Sequence, residues 1–271
     1  MPKQKRKWFY LIVGGFLLIC LLGSILVGER PKAESIQEVM RDAVLHESGR
    51  ISLFGLLEVN PGLISAFVVT GILLLLAALL RIFVIPRFRR VPGKLQLLLE
   101  TWVSFFADMA RTNSPHHNAF LGAYLFVAGS YIFFGTVFEL FGLQAVTLAG
   151  HSISLPAPLS DINGAIALGC LSYLVILLSG IVVNKLHGAV SGLKEFSLPI
   201  SMSFRLFGAL LSGLLVTELV YYSIRLSFLL PVAVGVLFTL LHAVIQTYVL
   251  TTLTSIFFGE VTEPHIKKSK R

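Results

Sequence analysis

The chain has 271 residues, of which 55% are hydrophobic and only 13% charged, and its mean hydropathy is +0.84. That balance excludes a soluble globular enzyme and describes a polytopic membrane protein. The net charge of +8 raises nucleic acid as a partner, but the basic residues sit in short clusters beside apolar runs and no aromatic-basic surface accompanies them. They read as topology signals, and no nucleic-acid partner is expected.

Taken in order, Lys3, Lys5, Arg6 and Lys7 precede an uncharged apolar run from Trp8 to Val27 that is long enough to cross a bilayer. Residues 1–28 are therefore a transmembrane helix or a signal peptide. Either choice puts residues 29–59 outside, a polar segment in which Ser35 to His46 forms a short surface helix. A second apolar run, Asn60 to Leu80, is closed by Arg81, Pro86, Arg87, Arg89 and Arg90, and that cluster marks the cytoplasmic face. Beyond it, Leu95, Leu98, Leu99, Trp102, Phe105 and Phe106 recur at helical spacing, interrupted by Lys94, Glu100 and Asp108. This pattern predicts an interfacial amphipathic helix on the cytoplasmic side.

A turn from Ser114 to Asn118 opens a third run that reaches Leu143, with Glu139 near its outer end. His116 and His117 have no Cys, His or carboxylate at ligand spacing, so no metal site is expected. Cys20 and Cys170, each inside an apolar run, give no disulfide framework, and no cofactor motif is present. Residues 144–160 carry no Lys or Arg and read as an external loop. Ser160 or Asp161 then caps a helix that runs uncharged to Val183. Lys185 and Lys194 mark the return to the cytoplasm, with the stretch 184–196 as the connection.

Two long helices close the chain, from Ser197 to Ile224 and from Leu226 to Phe258, about 42 and 50 Å at 1.5 Å per residue. Both exceed the hydrocarbon thickness, so they tilt, and the short turn between them makes them antiparallel neighbours. The basic tail, residues 259–271, is cytoplasmic. The expected fold is an all-α polytopic membrane protein with five or six transmembrane helices, two long tilted C-terminal helices and a cytoplasmic-side amphipathic helix.

The chemistry concentrates on this last pair. Arg205 lies inside the apolar run 197–216, where a charge costs roughly 2.5 to 3.5 kcal/mol on insertion scales. Gly208, Ala209 and Ser212 follow at three, four and seven positions and flatten the same helix face, which lets a second helix approach closely. The competing reading is an arginine that snorkels to the nearer interface. Counting outward from the turn puts Arg205 level with Gln246, Leu210 with His242, and Glu218 with Gly235. Gly235, Thr239, His242 and Gln246 form one stripe at helical spacing, and with Glu218 they make a ladder of polar groups suited to passing an ion. The plainer alternative is interhelical hydrogen bonding.

The segment from Pro199 to Gly208, P-I-S-M-S-F-R-L-F-G, resembles the signature of subunit a of the F-type ATP synthase. Pro158, Asp161 and Asn163 resemble that family's P-x-x-D-x-N motif, and Pro92-Gly93-Lys94-Leu95 with Glu100 resembles its cytoplasmic segment. Gln246 with Tyr248 resembles its L-Q-x-F motif, with Ile245 in place of the leucine. The resemblance covers residues 60–258. It implies a stator subunit that performs no covalent chemistry, provides two proton half-channels and holds Arg205 against a carboxylate on a rotor ring of small c-type hairpins. It also implies peripheral-stalk b-type partners in a lipid bilayer, and the basic leader suits insertion into a bacterial plasma membrane. Glu218, His242 and Gln246 would join Arg205 in translocation, and Glu139, Asp161, Asn163, Ser201 and Thr239 would line an access path. The chain departs from the family at Ala209, where Asn is usual, and at Leu214, since its acid comes four residues later as Glu218. A secondary transporter is the alternative, but the inverted repeats it predicts are absent from the sequence.

Overall fold

The computed structural model describes residues 51–53, 57–146, 152–222 and 230–263, with residues 14–16, 18–19, 22–23, 35, 37–38 and 41. Most of the first expected span, the turn near residue 226 and the tail from residue 264 lie outside the described residues. Of the expected surface helix, residues 37, 38 and 41 are helical. Its start is a capping box: the Glu38 backbone N–H donates to Ser35 Oγ at 3.3 Å, and Glu38 Oε2 accepts from the Ser35 backbone at 2.9 Å. The bonds from Ser35, the backbone one first, hold the Glu38 carboxyl below the usual carboxylate range.

Helix α1 spans Pro61–Leu79. Asn60 caps it by accepting from the Gly62 N–H at 3.0 Å, and Pro61 occupies the first turn, where no donor is lost. The helix does not stop at Leu80 as expected. It widens into a π-turn, Leu80–Val84, and tightens into a 3₁₀ turn, Ile85–Arg87. Pro86 brings no N–H to the ladder, and the carbonyl of Phe83 accepts from Arg87 Nη1 at 2.9 Å. Leu74 and Leu75 are exposed, as suits a helix that is apolar all round and faces lipid.

Helix α2, Lys94–Asn113, buries Phe106 and Ala110 against α3, Asn118–Phe138. Trp102 Nε1 donates to Ser130 Oγ at 3.0 Å, and the Trp102 ring lies 5.1 Å from Phe133. Glu100, Asp108 and Arg111 stay exposed on the opposite face, and Leu98 and Phe105 are exposed on the flank. The amphipathic pattern thus has three parts: a docked stripe, an apolar flank and a polar face.

A 3₁₀ turn, Glu139–Phe141, ends α3, and Gly142 closes it at φ 55°. Two short antiparallel hairpins, β1 Ile51–Leu53 with β2 Leu57–Val59 and β3 Gln144–Val146 with β4 Ser152–Ser154, are the strands among the described residues. The second forms within the expected external loop. Helix α4, Ile162–Lys194, is followed by α5, Ser197–Tyr222, and α6, Leu230–Thr262. Helix α6 continues past Phe258, where the helix was expected to end. Among the described residues, five helices are long and apolar enough to cross a membrane.

The stretch expected to be a connection, 184–196, is mostly helical. The chain reverses at Lys185, whose φ of 51° and ψ of −127° interrupt α4. Residues 186–194 then fold back along the helix they have just left. Glycine makes this possible, since Gly188 meets the backbone of Gly180 and Gly192 lies against Leu177. Tyr173 donates its hydroxyl to the Gly192 carbonyl at 3.2 Å, and Asn184 Nδ2 donates to the Val261 and Glu263 carbonyls at 2.8 and 2.9 Å. The reversal is thereby bolted to the end of α6.

Small residues also set the remaining contacts. Gly129 of α3 admits the Phe106 ring and Thr251, and Gly169 of α4 admits Ser203 and the Pro199 carbonyl of α5. The resulting core gathers Phe106, Leu121, Leu125, Ile176, Met202 and Phe258 from α2 to α6.

Candidate functional site

Helix α5 has two faces. Met202, Ser203, Leu206 and Leu210 are buried against α4 and α6, whereas Ser201, Phe204, Arg205, Gly208 and Ser212 are exposed. Arg205 makes no hydrogen bond or ion pair with any described residue. Its surroundings are flat: a Cβ added at Gly208 would meet nothing within 4 Å, and Ser212 turns its hydroxyl back to the Ala209 carbonyl at 2.8 Å. Ala209 is half-buried at the edge of this face. An intramembrane guanidinium is therefore presented outward from the helix bundle, with no partner in the described chain to neutralise it.

Helix α6 lays its polar stripe beside α5. His242 is half-buried, with its ring against Gly213 and 6.0 Å from the ring of Phe238. The expected neighbour was Leu210, so the observed contact is three positions further along α5. Thr239 is half-buried one turn away. Gln246 is 5% exposed, and its Oε1 is buried without a hydrogen-bond partner among the described residues. Leu250, one turn further, packs with Leu206 and Leu210, so the glutamine lies on the side of α6 that meets the helix of Arg205. A buried unpaired amide oxygen is costly, and a water molecule or passing ion is what such a group accommodates.

Glu139 is half-buried at the end of α3 and has no hydrogen-bond or salt-bridge partner among the described residues. Its 3₁₀ turn touches α6. Asp161 and Asn163 form the cap of α4: Asp161 Oδ1 accepts from the Asn163 backbone at 3.2 Å and from Asn163 Nδ2 at 3.3 Å. Asp161 also abuts Gly62 at the start of α1. Neither residue contacts Arg205. Glu218 lies on α5, and its side chain is outside the described residues. Sequence reasoning missed Gly213, the contact for the imidazole, because a glycine in an apolar run signals close approach without saying to what.

The geometry is that of a membrane helix pair with an outward arginine and an inward polar stripe. A family model described as "ATP synthase A chain" matches residues 63–259. The chain belongs to that family. It is similar to the "ATP synthase subunit a" of Parvibaculum lavamentivorans, with 27% identity over 209 residues that cover 64% of this chain and 75% of the relative. Membership makes this chain a multi-pass membrane component of the F0 sector, an ion-translocating stator subunit that associates with other F0 subunits. The family is a non-catalytic component of the F0 sector.

Proposed function

We propose that this chain presents Arg205 to a rotor ring of small c-type subunits and conducts protons to and from the ring carboxylate through two half-channels. The observation that carries the reading is the exposed, unpartnered guanidinium on a face flattened by Gly208, Ala209 and Ser212. An opposite charge within ~4 to 6 Å lowers a carboxylate pKa by roughly one to three units, so a ring carboxylate arriving at Arg205 releases its proton. The proton leaves into one half-channel. Because arginine keeps its own proton, the same group blocks direct passage between the two half-channels.

The outer half-channel descends from Glu139, Asp161 and Asn163 through Glu218 and Thr239 to His242 and Gln246. Support comes from the half-buried Thr239 and His242 and the unpaired Gln246 Oε1, which share one stripe of α6, with His242 against Gly213 of α5. Ser201, one turn before Arg205 on the exposed face, stands on the inner side. Peripheral-stalk b-type subunits hold the chain against the turning ring, and the membrane is a bacterial plasma membrane.

Disulfide trapping tests the docking face. In a background with Cys20 and Cys170 replaced by serine, Gly208→Cys and Ser212→Cys should oxidise to a cysteine placed beside the ring carboxylate. Leu74→Cys, exposed on α1, should not. Cross-linking from position 74 and none from 208 or 212 would put the ring on another face.

A further inference from the structure

The elbow between α1 and α2 has chemistry that ion translocation does not use. The chain there lines an open groove of about 540 Å³ in which Phe83, Phe88 and Leu95 stand together with Arg87, Arg89 and Lys94. Arg81, Arg87, Arg89, Arg90 and Lys94 crowd fourteen residues, and no Asp or Glu occurs between Glu58 and Glu100. A cluster that only obeyed the rule for basic residues beside spans would need no fixed shape. This one is shaped. Gln96 clamps the elbow from both sides, accepting from the Arg89 N–H at 3.0 Å and donating to the Arg89 carbonyl at 2.9 Å. Its amide also donates to Glu100 Oε1 at 2.7 Å, tethering the nearest carboxylate to the clamp. The π-turn at Leu80–Val84 and the bond from Arg87 to Phe83 fix the part of the groove contributed by the end of the spanning helix.

We infer that this elbow binds the headgroup of an anionic phospholipid. Arg87, Arg89 and Lys94 surround the phosphate, where guanidinium groups match its oxygens in pairs. Phe83, Phe88 and Leu95 receive the first segments of the acyl chains. Position supports the choice of occupant over a soluble phosphate, because the groove lies where a membrane-spanning helix meets an amphipathic one. Phe83, Val91 and Leu95 are each more than half exposed, which suits contact with lipid and not with water. Basic pockets at the ends of membrane helices take charged headgroups, and each Lys or Arg near such a surface contributes about 1 kcal/mol, a factor of about five in retention.

The test is native mass spectrometry of the full-length chain in a zwitterionic detergent, titrated with dioleoylphosphatidylglycerol or dioleoylphosphatidylcholine. The wild-type chain should retain the anionic lipid preferentially. Arg87→Gln and Lys94→Gln, made singly, should each weaken that retention about fivefold. Arg87→Lys should restore most of it, and a paired change at the distant exposed Arg111 and Lys194 should leave it unchanged. Millimolar glycerol 1-phosphate should not displace the lipid. Equal retention of both lipids, an equal loss from the Arg111 and Lys194 pair, or displacement by the soluble phosphate would overturn the assignment. If Arg87→Gln does not accumulate, Lys94→Gln, outside the span, still decides the outcome.

Discussion

His242 rests against Gly213: a methyl group added to that glycine would sit 3.3 Å from Nδ1 and 3.5 Å from Cε1 of the imidazole. The contact joins α5 to α6 at the polar stripe, so the position of the ring depends on a residue with no chemistry of its own. Gly213→Ala should push the ring aside by a few tenths of an ångström without preventing assembly. ATP-driven proton uptake by inverted vesicles should then fall severalfold, with ATP hydrolysis by the assembled complex little changed. Full uptake in this variant would mean that the imidazole does not need its present position.

Lys185 occupies a backbone conformation that glycine adopts freely, at φ 51°. Strain of this kind costs on the order of 1 to 3 kcal/mol, and glycine returns part of the gain through its greater unfolded freedom. Lys185→Gly should therefore stabilise the purified chain by about 1 kcal/mol in a thermal unfolding series. Gly188→Ala should do the opposite and impair accumulation, because its methyl group would enter the Gly180 backbone. A destabilised Lys185→Gly chain would contradict the reversal.

Gly129 is the gap in α3 that receives the edge of the fully buried Phe106 ring. Gly129→Ala should overpack the joint between α2 and α3 and destabilise the chain by about 1 to 3 kcal/mol. The combination with Phe106→Leu should recover part of that loss. Additive losses in a double-mutant cycle would show that the two residues do not share the space.

How much of this was legible depended on whether one helix or two had to be known. The exposed strip of Ser201, Arg205, Gly208 and Ser212 follows from the periodicity of a single helix, and Asp161 as a cap follows from local chemistry. The reversal at Lys185 did not follow. Its signal, Gly180, Gly188 and Gly192 on either side of a lysine, looks like a polar connection until the two segments are superposed in space. The register of α5 against α6 also escaped by three positions, since residue counting assumes straight parallel axes and the contact of His242 with Gly213 depends on how the helices cross. Gln246 was legible as polar, but not as a buried amide with an unpaired oxygen, because burial depends on how neighbouring helices pack against α6.

The central claim is that Arg205 couples the ring to the ion path. It is tested most directly by ATP-driven proton uptake in inverted membrane vesicles carrying Arg205→Ala and Arg205→Lys, with assembly and ATP hydrolysis measured in the same preparations. The account predicts an assembled complex that hydrolyses ATP and takes up no protons in either variant, since lysine lacks the permanent, paired-donor charge of a guanidinium. Normal uptake in Arg205→Ala would show that the arginine does no more than reach for the membrane surface.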